Sequence, residues 1–201
     1  MIGIIDYGMG NIFSLTGALK RLDAEYVFTD DIKKLEQCSA LILPGVGAFT
    51  DAMANLKERK MDVFLHKWAS ANKPLLGICL GMQLLFEKSY EHGETPGLAL
   101  IPGKVKEIPP LVKVPHMGWN KIQLKNKHPY LPNLEEGFVY FVHSFYGAKC
   151  ESSVIATAEY GAELTAAVAE NNVFGCQFHP EKSGEVGLKI LKAFVEMGEK
   201  K

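Results

Sequence analysis

No stretch of this chain is apolar for long enough to cross a membrane as a helix, and none carries a long run of one charge. Lysine and arginine number 22 against 23 aspartates and glutamates, so the net charge is −1 and nothing draws the chain electrostatically to nucleic acid or to an anionic membrane. Cysteine is scarce: Cys38, Cys79, Cys150 and Cys176 are far apart and form no CxxC pair. That spacing argues against a zinc site and a disulfide framework, and it suits a reducing cytoplasm. The opening "MIGIIDYG" lacks the basic start of a secretory leader and reads as a first strand. There is no internal repeat and no low-complexity linker. We therefore expect a cytoplasmic protein without metal or cofactor, folded as one domain over residues 1–201.

What is present alternates. "IGIID" is a short apolar strand that ends in the turn "YGMGN", and the helix after it carries Ile12, Leu15 and Leu19 on one stripe. Ala40 to Leu43 repeat the scheme, breaking into the Pro/Gly loop "LPGVGAF" before another helix. "KPLLGIC" and "LGMQLLFEKS" read as a third strand and helix. Strand–helix alternation of this kind predicts an α/β fold with an open, mostly parallel sheet, helices on both faces, and ligands at the carboxyl ends of the strands. From about Gly103 to Val168 the runs "GFVYFVHS" and "SSVIATAEY" predict a smaller antiparallel region beside that sheet. The chain closes with a strand, "NVFGCQF", and a helix burying Gly187, Ile190, Leu191, Phe194 and Val195.

One thiol stands in an unusual setting. Gly77-Ile78-Cys79-Leu80-Gly81 has the form G-x-C-x-G between a predicted strand and a predicted helix. In the related serine elbow the nucleophile sits on a strained turn, and flanking glycines allow close packing around it. The helix N-terminus would present unpaired N–H groups that favour an anion at the sulfur. The Leu80 amide would point where an oxyanion forms. A core cysteine in a tight connection is the plain alternative. A nucleophile also needs a base held by a third group, and "FHPEKS" offers His179 and Glu181. Pro180 restricts His179 to an extended backbone, which sends residues 179 and 181 to the same side. A surface histidine beside a solvated glutamate fits that segment equally well. His66, His92 and His128 lie in polar surroundings and read as solvated, whereas His116 and His143 read as pocket walls or satisfied hydrogen-bonding residues. Cys176 is three residues from His179 in the same strand run, and alternation sends the two to opposite faces. Cys38 and Cys150 have no elbow. The loop around Gly45 and Gly47 is able to turn N–H groups toward an oxygen.

"GICLGMQLLFE", with "FHPEKS" about a hundred residues later, resembles the class I, triad-type glutamine amidotransferases. With "IIDYGMGN", "LPGVGAF", "LIPGKV", "VPHMGWN" and "YFVHSFY" in order, the whole chain is similar to the family of glutaminase subunits of imidazole glycerol phosphate synthases. The resemblance implies a flavodoxin-like core and hydrolysis of L-glutamine through a thioester on Cys79. In it His179 moves the protons and Glu181 orients His179. By the same likeness Gly45, Val46 and Gly47 with the Leu80 amide form the oxyanion site. Gly47, Gln83, Glu91, Ser144 and Phe145 match positions that hold glutamine. Tyr140, His143 and Lys182 match positions near the site or its border with a partner. The implied partner is a (βα)8-barrel cyclase, forming a heterodimer that consumes the ammonia to make imidazole glycerol phosphate and an aminoimidazole carboxamide ribotide for histidine. Asn11 and Trp119 are candidates for that interface. Three other readings stay open: a related amidotransferase feeding a different acceptor, such as one modifying surface sugars; a scaffold without catalysis; and a cysteine hydrolase acting on peptides or esters.

Overall fold

The computed structural model describes residues 1–126 and 135–199. Four apolar strands expected from sequence, β1 (Ile2–Ile5), β3 (Ala40–Leu43), β4 (Leu75–Ile78) and β13 (Val173–Cys176), lie parallel in one sheet, with β2 (Tyr26–Thr29) at its edge. All but β2 are buried along their whole length, as parallel strands covered on both faces must be. Side chains alternate across the sheet. Ile2, Ile4, Ala40 and Ile42 meet α1 (Ile12–Arg21) and α6 (Gly184–Glu199) on one face. Ile5, Leu41 and Leu43 meet α2 (Ile32–Glu36), α3 (Phe49–Glu58) and α4 (Met61–Ser70) on the other. The helix expected after "LPGVGAF" is in fact two, because Lys60 adopts a left-handed backbone between α3 and α4. In α6 the five residues expected to be buried are buried, and a Cβ at Gly187 would collide with the Pro180 carbonyl oxygen.

The remaining strands divide in two, and all their pairings are antiparallel except that of β5 with β7. β12 (Glu163–Glu170), β11 (Val154–Glu159), β8 (His116–Leu124) and β9 (Phe138–His143) continue the main sheet beyond β13 to make nine strands. A second sheet of four holds β10 (Phe145–Ala148), β7 (Ile101–Glu107), β5 (Phe86–Ser89) and β6 (Thr95–Pro96). β5 corrects the sequence expectation of a helix through "LGMQLLFEKS". The helix α5 (Leu80–Leu84) stops short, because the Leu84 and Leu85 carbonyls accept N–H groups from Leu98, Leu100 and Ile101 instead of from a next helical turn. Phe86 is then drawn into the core, its ring against the backbone of Gly147.

Candidate active site

β4 and β13 are neighbours in register, Ile78 opposite Cys176, so their carboxyl ends emerge side by side. That places Cys79, the residue after β4, next to the segment that leaves β13. The Cys79 N–H donates to the Cys176 carbonyl at 2.8 Å. Cys79 has φ +55° and ψ −111°, a strained conformation for a side chain of its kind, held by its surroundings. The flanking glycines explain how. A Cβ at Gly77 would lie 2.5 Å from the Gly81 carbonyl oxygen, and one at Gly81 would overlap the Leu43 carbonyl oxygen. Bare backbone at both positions lets α5 pack directly onto two strands with the thiol at the bend.

His179 is buried, and its extended backbone (φ −95°, ψ 98°) agrees with the restriction expected from Pro180. Glu181, however, sits in a single 3-10 turn, Pro180–Lys182, and not in a continued strand. The turn still brings the carboxylate back: Oε1 lies 2.8 Å from His179 Nδ1. The other ring nitrogen is left for the sulfur, which lines the same cleft as His179. Burial pulls the imidazolium down. The hydrogen bonds to Cys79 and Glu181, and their negative charges, outweigh that pull and raise His179 to about 9. Ser183 Oγ donates to the His179 carbonyl and accepts the Tyr140 N–H, fixing the turn to β9. Oε2 of Glu181 has no protein partner among the described residues. Glu181 and Asn11 both line a cavity of about 10 Å³ that also touches Gly45 and Val46.

A cleft of about 400 Å³ opens over the thiol, the size of a small-molecule site. Val46, Gly47, Cys79, Leu80, Gln83, Glu91, His143, Ser144, Phe145 and His179 all line it. Leu80 opens α5, so its N–H has no helical carbonyl to bond. Gly47 has φ +100°, and Gly45 is packed against the buried Tyr7 hydroxyl, which donates to the Pro44 carbonyl at 2.7 Å. Glu91 has one oxygen engaged by the Phe49 N–H at 2.8 Å, closing the start of α3. His143 is a buried wall of the cleft. Its Nδ1 is 2.8 Å from the Phe145 carbonyl and its Nε2 is 3.0 Å from His116 Nδ1. Burial lowers both His143 and His116 to about 4. Trp119 and Tyr140 face each other across β8 and β9 with ring centroids 6.2 Å apart, and Lys182 Nζ stands 6.0 Å from the Tyr140 ring. Trp119 is 57% exposed and Asn11 is exposed.

His66 and His92 are exposed, and His128 lies outside the described residues. Cys38, Cys150 and Cys176 are buried, and burial raises each thiol above its ordinary value, the opposite of what a nucleophile needs. Two neighbours of the sulfur had no signal in the pattern of residue types: the Val142 carbonyl, 3.9 Å from Sγ, and Gln177 Nε2, 3.8 Å from it. Gln177 directly precedes "FHPE", and its nearness to Cys79 follows only once β13 is known to pair with β4.

Residues 3–197 match the family model described as glutamine amidotransferase class-I. The chain belongs to that family. Among curated relatives it is 51% identical to "Imidazole glycerol phosphate synthase subunit HisH" of Bacillus velezensis, over 98% of this chain and 96% of that one. The HisH subunit of Bacillus subtilis is 48% identical with the same coverage, so this amidotransferase falls within the HisH group. Solved structures agree on the fold. One is described as "Crystal structure of glutamine amidotransferase", with TM-score 0.79, 21% identity and 98% of both chains covered. Another is PurLQS from Thermotoga maritima, with TM-score 0.75, 22% identity and 97% of both chains covered.

Proposed function

We infer that this amidotransferase is the glutaminase subunit of an imidazole glycerol phosphate synthase. It hydrolyses L-glutamine to glutamate and ammonia and delivers the ammonia to a (βα)8-barrel cyclase in histidine biosynthesis. The observation that carries the reading is the imidazole of His179 held between Cys79 and the Glu181 carboxylate at the floor of the cleft. Identity near 50% with HisH subunits along nearly the full chain narrows the acceptor.

In this mechanism the Cys79 thiol gives its proton to His179, and the sulfur attacks the side-chain amide carbon of glutamine. The oxygen charge of the tetrahedral intermediate is met by the Leu80 N–H and by the Gly45–Val46–Gly47 loop. His179 then protonates the departing nitrogen, ammonia leaves, and a thioester remains. Water attacks the thioester as His179 takes its proton, releasing glutamate and restoring the thiol. Glu181 keeps Nδ1–H occupied, so Nε2 alone exchanges protons. Both N–H groups of the Gln83 side chain are engaged, by the Phe145 carbonyl and by Gln177, so Gln83 offers the cleft an acceptor suited to a substrate ammonium. Glu91 and the 144–145 segment complete the hold on the amino acid.

We take residues 1–201 as one amidotransferase domain working in the cytoplasm; among the described residues no helix is long and apolar enough to cross a membrane. Docking of the cyclase is supported by the row Met117, Trp119 and Lys121, all exposed on one face of β8, with Met117 at 62% and Trp119 at 57%. Such a surface, with an aromatic anchor, fits a protein partner. The test is reconstitution with the cyclase: Cys79→Ala abolishes glutamine-dependent product formation and leaves ammonium-dependent formation intact. Loss of both would contradict the assignment.

A further inference from the structure

We propose that Gln177 is a further catalytic residue, whose side-chain N–H is a fixed hydrogen-bond donor to the Cys79 sulfur. The proposal rests on the glutaminase reading above and adds a residue to it.

The direction of the donor is set by a chain of hydrogen bonds that begins at a group with no choice. The Phe145 carbonyl can only accept. It takes the Gln83 Nε2 at 2.9 Å, which fixes which end of the Gln83 amide faces it. The same Nε2 gives its second N–H to Gln177 Oε1 at 3.0 Å. With its oxygen engaged there, the Gln177 amide has only its nitrogen to present on the other side, and that nitrogen lies 3.8 Å from Cys79 Sγ. Turning the Gln177 amide over would set its N–H group against the N–H of Gln83, a repulsive contact in a site where Gln177 is 0% exposed. The Gln177 backbone is held as well, its N–H on the Ala166 carbonyl of β12 at 2.9 Å.

The sulfur needs such a donor. Among the described residues the Val142 carbonyl also lies 3.9 Å from it, an acceptor that disfavours negative charge. Negative charge builds on Sγ twice, before attack on the amide and again as the thioester collapses. A buried N–H already aimed at that atom stabilises both moments without reorganising. Because Gln177 touches the same amide that faces the substrate through Gln83, the nucleophile and the substrate-binding helix α5 are aligned by one bonded series.

The test uses the full chain, with Gln177→Met, which keeps the volume and removes the donor, and Gln177→Glu, which keeps the shape and offers an acceptor. Each is read by glutamine turnover and by the pH profile of Cys79 alkylation with iodoacetamide. The other titratable groups around the sulfur, His179 with Glu181 behind it, Tyr7 and Cys176, are unchanged in both variants. Turnover falls by about tenfold in the Met variant, in keeping with a hydrogen bond to a charged atom. The alkylation profile moves to higher pH, further in the Glu variant. Co-elution with the cyclase in gel filtration and a wild-type thermal melt show that the variants fold and dock. A wild-type alkylation profile in both folded variants overturns the proposal, whether turnover is kept or lost. A wild-type protein with no glutamine turnover even alongside the cyclase overturns the glutaminase reading instead.

Discussion

His179 Nδ1 lies 2.8 Å from Oε1 of Glu181, with both side chains more than nine-tenths buried. A buried pair of this kind makes the protein's stability depend on pH. His179 ordinarily titrates near 6.5 and is raised to about 9 in the fold. The folded state therefore binds the extra proton between those values. The stability gained from His179 is fully present below pH 6.5 and is lost as pH rises toward 9. Thermal melts between pH 6.5 and 9 will show this loss. The Cys79→Ala variant, which removes one of the interactions raising His179, will show a smaller one.

His143 and His116 predict the opposite flank. Both are lowered to about 4 by burial, so between pH 6.5 and 4 the unfolded chain binds protons that the fold refuses. Stability contributed by these neutral rings falls as pH drops through that window. A His143→Gln variant will lose less stability between pH 6.5 and 4 than the wild type, measured by urea midpoints at each pH.

Gly81→Ala tests the close approach behind the elbow. The added Cβ meets the Leu43 carbonyl, which is backbone and cannot swing away. Destabilisation of roughly 2–4 kcal/mol is expected from denaturant titration. Gly17→Ala, where nothing lies within 4 Å of the added carbon, serves as the neutral comparison or gains slightly in helix propensity.

Trp119→Ala separates docking from folding. Trp119 is 57% exposed, so its removal leaves the melting of the isolated chain within about 0.5 kcal/mol of wild type. Affinity for the cyclase, measured by titration calorimetry, is expected to weaken by on the order of 30-fold, as for an aromatic anchor at an interface centre.

The parts of this molecule legible in its sequence are those that depend on neighbours along the chain. Apolar runs of four residues marked the buried parallel strands, and G-x-C-x-G marked the bend at Cys79, because burial and backbone crowding act locally. Spacing on one helix face marked the buried residues of α6. What stayed hidden depends on partners far away. α5 ends at Leu84 because residues 98–101 claim its carbonyls, and nothing in "LGMQLLFEKS" announces that. Gln177 gains its neighbours only from the pairing of β13 with β4. The same holds for the His116–His143 bond, which forms because β8 and β9 pair with those two residues opposite each other. Glu181 came to the expected partner by an unexpected route, a tight turn instead of strand alternation.

The most direct test is labelling with a glutamine-like diazoketone, which alkylates a thiolate seated where the side-chain amide binds. Peptide mass analysis will find one adduct per chain, on Cys79, blocked by excess L-glutamine, with Cys38, Cys150 and Cys176 unmodified. Labelling spread over the other thiols, or a rate at Cys79 that glutamine does not slow, would contradict the account.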